Sequence, residues 1–147
     1  MHGGALRSAD ESLARIAQFV LPVVDAAAPS TTQHQVVILG GGMSGLCMAI
    51  RLQRAGMHDF VIVEKQPGLG GTWWDNSYPG AHVDVPSPVY SFSFAPNPRW
   101  SRRFASASEI QSYMQGLAER HGLLAHMRLG SRLTTADFDE ASGQWRF

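Results

Sequence analysis

Three glycines at fixed spacing constrain the fold of this chain more than any other feature. Gly40, Gly42 and Gly45 follow a short apolar run at 36–39 and precede a helical repeat of apolar residues that ends near residue 56. A tight strand-to-helix turn, the approach of a ligand to the backbone and close packing of a helix on a strand each need a residue without a Cβ. The pattern therefore predicts a strand, a turn and a helix whose N-terminus can bind a diphosphate.

A second apolar run at 60–63 completes a strand–helix–strand unit and is followed by Glu64. A carboxylate at this place is expected to accept hydrogen bonds from ribose hydroxyls and to repel a 2′-phosphate. The site is therefore predicted to bind FAD or NAD rather than NADP. The predicted fold class is α/β, a Rossmann-like FAD/NAD(P)-binding doubly wound parallel sheet, incomplete in this chain, with a small β-meander or hairpin.

Residues 66–105 are rich in Gly, Pro, Trp, Tyr and Ser and show no helical period, which indicates a long functional loop. A helix follows, because Ser106 and Glu109 have the spacing of a capping box and Gly122 is a natural helix end. Three further strands are predicted, the last two joined as a hairpin, at 127–133, 134–139 and 144–147.

The N-terminal region has a different character from the rest. Residues 8–21 predict an amphipathic packing helix, and the small and polar residues of 26–35 indicate a linker. We therefore expect a helical extension with a linker over 1–33 and the N-terminal part of a dinucleotide-binding domain over 34–147. The chain ends inside an apparent strand, from which we expect it to be a fragment of a longer protein.

Charge and cysteine content exclude several classes of protein. Twelve basic and twelve acidic residues give a net charge of zero, so no nucleic-acid partner is expected. No apolar run is long enough to span a membrane. The single cysteine, Cys47, is expected to be a packing residue and favours a cytoplasmic location. The histidines share no metal-ligand spacing, so no metal site is predicted, and the oligomeric state stays open.

Four segments carry a resemblance to a known family: GGTWW (70–74), YPGAHVDVPS (78–87), YSFSF (90–94) and NPRWSRRFAS (97–106). In this order they resemble the class B flavoprotein monooxygenases, in particular Baeyer–Villiger monooxygenases and their 4-hydroxyacetophenone-monooxygenase-like relatives. The resemblance covers residues 36–147. One departure is Ser77, where many family members have arginine.

The resemblance implies a set of site residues. Asp84 would lie near the isoalloxazine and the nicotinamide and is the catalytic candidate, with His82 and Val83 on the NADP side. Tyr90 would contact the flavin, and Leu133 would lie beside the adenine. The full set of implied cofactor-binding residues is Gly40, Gly42, Ser44, Gly45, Glu64, Lys65, Gly71, Thr72, Trp73, Trp74, Asp75, His82, Val83, Asp84, Tyr90 and Leu133.

The resemblance also implies a function. The parent protein would use FAD and NADPH to insert one oxygen atom from O₂ into a ketone, or to oxidise a heteroatom of a small molecule. Family members bind NADPH in a second Rossmann domain, for which this sequence has no motif, so the 147-residue chain alone is expected to be inactive. Two alternatives stay open: a truncated, non-catalytic nucleotide-binding module, and a flavin N-hydroxylase-type oxidoreductase.

Overall fold

The computed structural model describes residues 23–24 and 32–147. The helix predicted over 8–21 and most of the predicted linker lie outside these residues. The strands in chain order are β1 (Val23–Val24), β2 (Gln33–His34), β3 (Val36–Leu39), β4 (Phe60–Val63), β5 (Met127–Arg128), β6 (Asp137–Asp139) and β7 (Gln144–Arg146). The helices are α1 (Met43–Arg54), α2 (Thr72–Asp75) and α3 (Ala107–Arg120), with 3₁₀ turns at Ser87–Val89 and Leu123–His126.

A three-stranded parallel sheet of order β3-β4-β5 forms the centre of the fold. The register of β3 on β4 pairs Val36 with Phe60 and Leu39 with Val63. Both strands are short apolar runs, as expected for strands that helices cover. The fold class predicted from the sequence is therefore confirmed, including the strand–turn–helix–strand unit. Within the described residues β3 forms one edge of this sheet.

The core lies between the parallel sheet, α1 and α3. Buried side chains on α1 recur at helical spacing and pack directly with those of α3 against the sheet. The largest fully buried apolar side chains are Phe60, Leu46, Ile50, Leu52, Ile62, Ile110, Met114, Leu117, Leu123, Val36 and Val83. Because these residues come from every part of the strand–helix–strand unit and from α3, their packing fixes the position of the glycine turn.

Both ends of α3 match the sequence prediction. The Ser106 hydroxyl accepts a hydrogen bond from the Glu109 amide (3.4 Å), and Gly122 takes a left-handed conformation with φ of 64° after the last turn. Only half of the predicted capping box forms. The Glu109 carboxylate instead accepts hydrogen bonds from the backbone N–H and the hydroxyl of Ser101, at 2.7 and 2.9 Å.

Two other predictions need correction in extent. The strand predicted over 127–133 is paired only at Met127–Arg128, because Gly130, with φ of 65°, turns the chain back toward β4. There Gly130 N–H donates to the Gln66 carbonyl (2.8 Å) and Ser131 N–H to the Glu64 carbonyl (2.9 Å). The long loop over 66–105 contains α2 and a 3₁₀ turn, although neither has a visible period in the sequence.

A second sheet, of order β2-β1-β7-β6, contains the predicted hairpin. β6 and β7 pair antiparallel, and Gly143 N–H donates to the Asp139 carbonyl to close the turn (2.8 Å). β1 pairs with both β2 and β7, so strand pairing crosses the predicted boundary between 1–33 and 34–147. Among the described residues no helix has the length and apolar character needed to cross a bilayer.

Replacing Tyr113 by phenylalanine is expected to destabilise the fold by about 2 kcal/mol. The Tyr113 hydroxyl accepts from Phe92 N–H (2.9 Å) and donates to the Ala95 carbonyl (2.8 Å), so its loss leaves two backbone groups unpaired. Burial raises the pKa of this phenol. The stability that it contributes is therefore complete below about pH 10 and is lost as pH rises through the raised pKa of the folded state.

Urea unfolding measured from neutral to strongly alkaline pH checks this expectation. The stability gap between the wild-type chain and Y113F should narrow above about pH 10. The matched control is Tyr78→Phe, because the Tyr78 ring is 63% exposed and should contribute less than about 0.5 kcal/mol. Equal losses in the two variants would contradict the role assigned to Tyr113.

Candidate functional site

The turn between β3 and α1 leaves the N-terminus of α1 open. Gly42 is the N-cap residue, no side chain caps the helix, and the first turn contains no acidic residue. Gly40 has φ of 96°, and its N–H donates to the Val63 carbonyl at 2.8 Å, which fastens the turn to the end of β4. Unpaired N–H groups and the positive end of the helix dipole make such a terminus suited to an anion.

A second glycine pair lies directly against this turn. Gly70 N–H donates to the Gly41 carbonyl (3.0 Å), and a Cβ added to Gly71 would lie 3.1 Å from the Cα of Gly42. The two backbones can approach this closely only because neither residue has a side chain. Sequence reasoning recognised both glycine segments but did not predict that they touch. The only sequence signal for this contact is that a second glycine pair, Gly70 and Gly71, follows the first motif.

The carboxylate of Glu64 is held by the backbone. Glu64 is 4% exposed. One oxygen accepts from Gly41 N–H at 2.6 Å, and the other accepts from Gln66 N–H at 2.8 Å. These charge-assisted bonds compensate for the burial of the carboxylate. Glu64 therefore fixes the glycine turn to the chain that leaves β4, in addition to the ribose contact predicted for it.

An aromatic pair closes one side of the turn. The Trp73 indole N–H donates to the Tyr90 hydroxyl at 3.0 Å, and the two rings meet edge to face with centroids 5.6 Å apart. Because the hydroxyl accepts from Trp73, its own proton is left to donate to a ligand. This pair contributes to a hollow of about 320 Å³ lined by Leu39, Gly40, Gly42, Met43, Ser44, Gly45, Gly70, Gly71, Thr72, Trp73 and Tyr90.

A second hollow, of about 250 Å³, continues the first along the end of the sheet and shares Leu39 and Gly40 with it. It is lined by Leu39, Gly40, Val63, Glu64, Lys65, Ser131, Arg132 and Leu133. We call the two hollows together the glycine groove. Eleven residues named from the sequence line it: Gly40, Gly42, Ser44, Gly45, Glu64, Lys65, Gly71, Thr72, Trp73, Tyr90 and Leu133. Sequence reasoning missed Leu39, because in the sequence it is simply the last apolar residue of a core strand, and only the structure shows that it is 56% exposed at the groove.

Trp74 and Asp75 do not line the glycine groove. The Trp74 ring occupies the space that a side chain at Gly68 would need, so it packs against the loop. The Asp75 carboxylate accepts from the Gln66 amide (2.6 Å) and lies 3.9 Å from the Lys65 ammonium. Trp74 therefore packs on the loop before α2, and the Asp75 side chain binds the residues that follow β4. Their predicted contact with FAD stays a prediction.

The segment 82–84 also lies outside the glycine groove. The Val83 side chain is 1% exposed within the core, and its N–H donates to the Ala105 carbonyl at 3.0 Å. This side chain therefore packs in the core, and its predicted place on the NADP side stays a prediction. His82 and Asp84 are exposed on either side of it. The alternation of one buried residue between two exposed ones is the geometry of an extended segment.

Comparison with known proteins shows what the chain is similar to. A family model described as an NAD(P)-binding Rossmann-like domain matches residues 38–107. A Baeyer–Villiger monooxygenase of Streptomyces coelicolor is 45% identical over 111 residues, which cover 76% of this chain and 21% of that protein. The chain thus spans about a fifth of the length of the curated relatives that it matches.

Solved structures agree with the sequence comparison. An oxidized steroid monooxygenase bound to NADP has a TM-score of 0.69 and 36% identity, over 74% of this chain and 22% of the other. The OTEMO complex with FAD and NADP also has a TM-score of 0.69, with 32% identity over 74% of this chain and 21% of the other. The sequence and structure comparisons therefore find the same kind of flavin monooxygenase.

Proposed function

Because the chain is a Baeyer–Villiger-monooxygenase-like segment in both sequence and fold, we propose that its glycine groove binds FAD. The observation that carries this proposal is the open N-terminus of α1, which lines one of two adjoining hollows. A dinucleotide has a diphosphate in its middle and a ring system at each end. The groove has a helix N-terminus suited to an anion in the hollow beside Trp73, and the second hollow adjoins it through Leu39 and Gly40.

The two hollows suit the two ends of FAD differently. The hollow beside Glu64 and Leu133 has a carboxylate for ribose hydroxyls and an apolar side chain for adenine, so we assign the adenosine end to it. The hollow beside Trp73 and Tyr90 has aromatic rings and a free hydroxyl proton, which suit the flavin end. Thr72 and Ser44 add hydroxyl groups near the centre.

The activity of the whole protein is a further proposal. We propose an NADPH-dependent monooxygenase that inserts one oxygen atom from O₂ into a ketone or oxidises a heteroatom. Bound FAD would supply the redox chemistry, and the protein would bind, orient and shield it. Exposed Asp84 is proposed to face the nicotinamide side, with His82. We propose that this chain alone does not catalyse the monooxygenase reaction. We also propose a cytoplasmic location.

Flavin titration tests the proposal. The purified chain should quench the fluorescence of FAD in a saturable manner, and ADP should compete. FMN should bind about a hundredfold more weakly, because it lacks the adenosine end and the diphosphate bridge. The same preparation should oxidise NADPH no faster than buffer does. Equal affinity for FMN and FAD would contradict the assignment of the diphosphate to the glycine turn.

A further inference from the structure

A cleft of about 590 Å³ lies apart from the glycine groove and shares no residue with it. It is lined by Gly80, Ala81, His82, Arg102, Arg103, Phe104 and Ser106. We call it the arginine cleft. Every ionisable side chain in this lining is basic. The chain as a whole has no net charge, so this is a local concentration of positive charge rather than a general property of the surface.

A buried serine holds the loop that carries the two arginines. Ser87 is 0% exposed. Its N–H donates to the Arg103 carbonyl (2.7 Å), and its hydroxyl lies within hydrogen-bond distance of the Arg102 and Arg103 carbonyls (3.0 and 2.9 Å). The same hydroxyl accepts from Ala105 N–H at 2.7 Å. These bonds involve only backbone groups of 102–105, so they hold the backbone of this loop and leave the guanidinium groups unoccupied.

The opposite wall of the arginine cleft is attached to the same loop. Val83 N–H donates to the Ala105 carbonyl (3.0 Å), and Ala107 N–H donates to the Ala81 carbonyl (2.9 Å). His82 therefore faces the arginines from a paired segment. A carbonyl can only accept, so the 2.6 Å contact of His82 Nδ1 with the Gly80 carbonyl requires the proton on Nδ1. Nε2 is left for a ligand.

The arginine charges are not neutralised by carboxylates in the described part of the chain. Neither Arg102 nor Arg103 forms an ion pair with a described residue, and Arg103 lies over the Phe104 ring at 5.7 Å. The nearby acid Glu109 is engaged by Ser101. Asp84 is exposed but does not line the cleft. Two guanidinium groups on a fixed backbone therefore have donors available for an anion.

We propose that the arginine cleft binds a phosphate group. Two guanidinium groups offer planar pairs of N–H donors that match phosphate oxygens. The His82 Nε2 can accept from a protonated phosphate oxygen, or donate to a phosphate when the ring is protonated. Free phosphate and the phosphate of a larger ligand share this chemistry. The cleft is separate from the glycine groove, so this proposal does not depend on FAD binding.

The test is an NMR titration of the full 147-residue chain with inorganic phosphate at constant ionic strength. The His82 ring signals and the backbone amides of 102–106 should shift together along one saturating curve. The double variant R102Q/R103Q should bind phosphate at least about tenfold more weakly, because charge-assisted hydrogen bonds are lost. Its fold should be unchanged, since Ser87 binds the backbone and not these side chains.

Arg99→Gln is the matched control. Arg99 is a basic residue of the same loop region but lines a different cavity, so its loss should leave the phosphate affinity unchanged. A parallel titration with phenyl phosphate distinguishes the two sources, since tighter binding of the monoester indicates a phosphate carried by a larger ligand. The proposal is overturned if the shifts do not saturate, or if R99Q and R102Q/R103Q weaken phosphate binding equally.

Discussion

Replacing Gly45 by alanine is expected to destabilise the chain by about 3 kcal/mol and to abolish FAD binding. Gly45 is the third residue of α1, and a Cβ there would overlap the carbonyl oxygen of Gly40 and lie 3.1 Å from the carbonyl carbon. Both atoms belong to the backbone of the turn, so neither can rotate away. The helix would have to move off β3, and its N-terminal N–H groups would no longer face the groove.

The matched control for this variant is Gly116→Ala, which also adds a methyl group to a helical glycine. Its Cβ would meet only the end of the Arg120 side chain, at 3.0 Å, and that side chain can move. The higher helix propensity of alanine should make this variant neutral or more stable by up to about 1 kcal/mol. Thermal unfolding and FAD titration measure both variants. If G45A retains the wild-type stability and FAD affinity, Gly45 is not packed too closely against Gly40 to accommodate a Cβ.

Replacing Glu64 by glutamine is expected to cost about 3 kcal/mol of stability and to weaken FAD binding by at least about tenfold. The Glu64 carboxylate accepts from two backbone N–H groups, at Gly41 and at Gln66. A glutamine side chain has one acceptor oxygen and one donor nitrogen, so one buried N–H would face a donor. The turn would distort even without a ligand, which a simple ribose contact would not predict.

Asp59→Asn is the control, because it removes a carboxylate that accepts a backbone N–H at a place remote from the glycine groove. Asp59 also accepts a backbone N–H, from Gln35 at 3.1 Å, but it is exposed and lies at the opposite end of β4. Its loss should cost less than about 1 kcal/mol and leave FAD affinity unchanged. Chemical denaturation of the ligand-free variants is the decisive measurement. If the ligand-free E64Q variant is as stable as D59N, Glu64 does not stabilise the turn, and only its predicted contact with the ribose remains.

The sequence predicted local structure well where the residues that determine an element lie within that element. The apolar runs of β3 and β4, the cap at Ser106 and the stop at Gly122 each depend on residues close together in the chain, and the structure confirms them. The prediction over 127–133 was too long, because the turn at Gly130 and the hydrogen bonds to the loop after β4 end that strand. Pairing of that kind has no signature in a local pattern.

The sequence by itself determined the strand–turn–helix unit, the glycines that its turn requires and the group of flavoproteins that the chain resembles. Spacing of glycines and apolar residues is sufficient for these, because they follow from backbone sterics and burial over a few residues. The tertiary structure decided that Gly70 and Gly71 lie against the first turn. It also decided that the Glu64 carboxylate binds the backbone of that turn and that Val83 faces the core. These contacts join segments distant in the chain, so only the packing of the folded molecule brings them together.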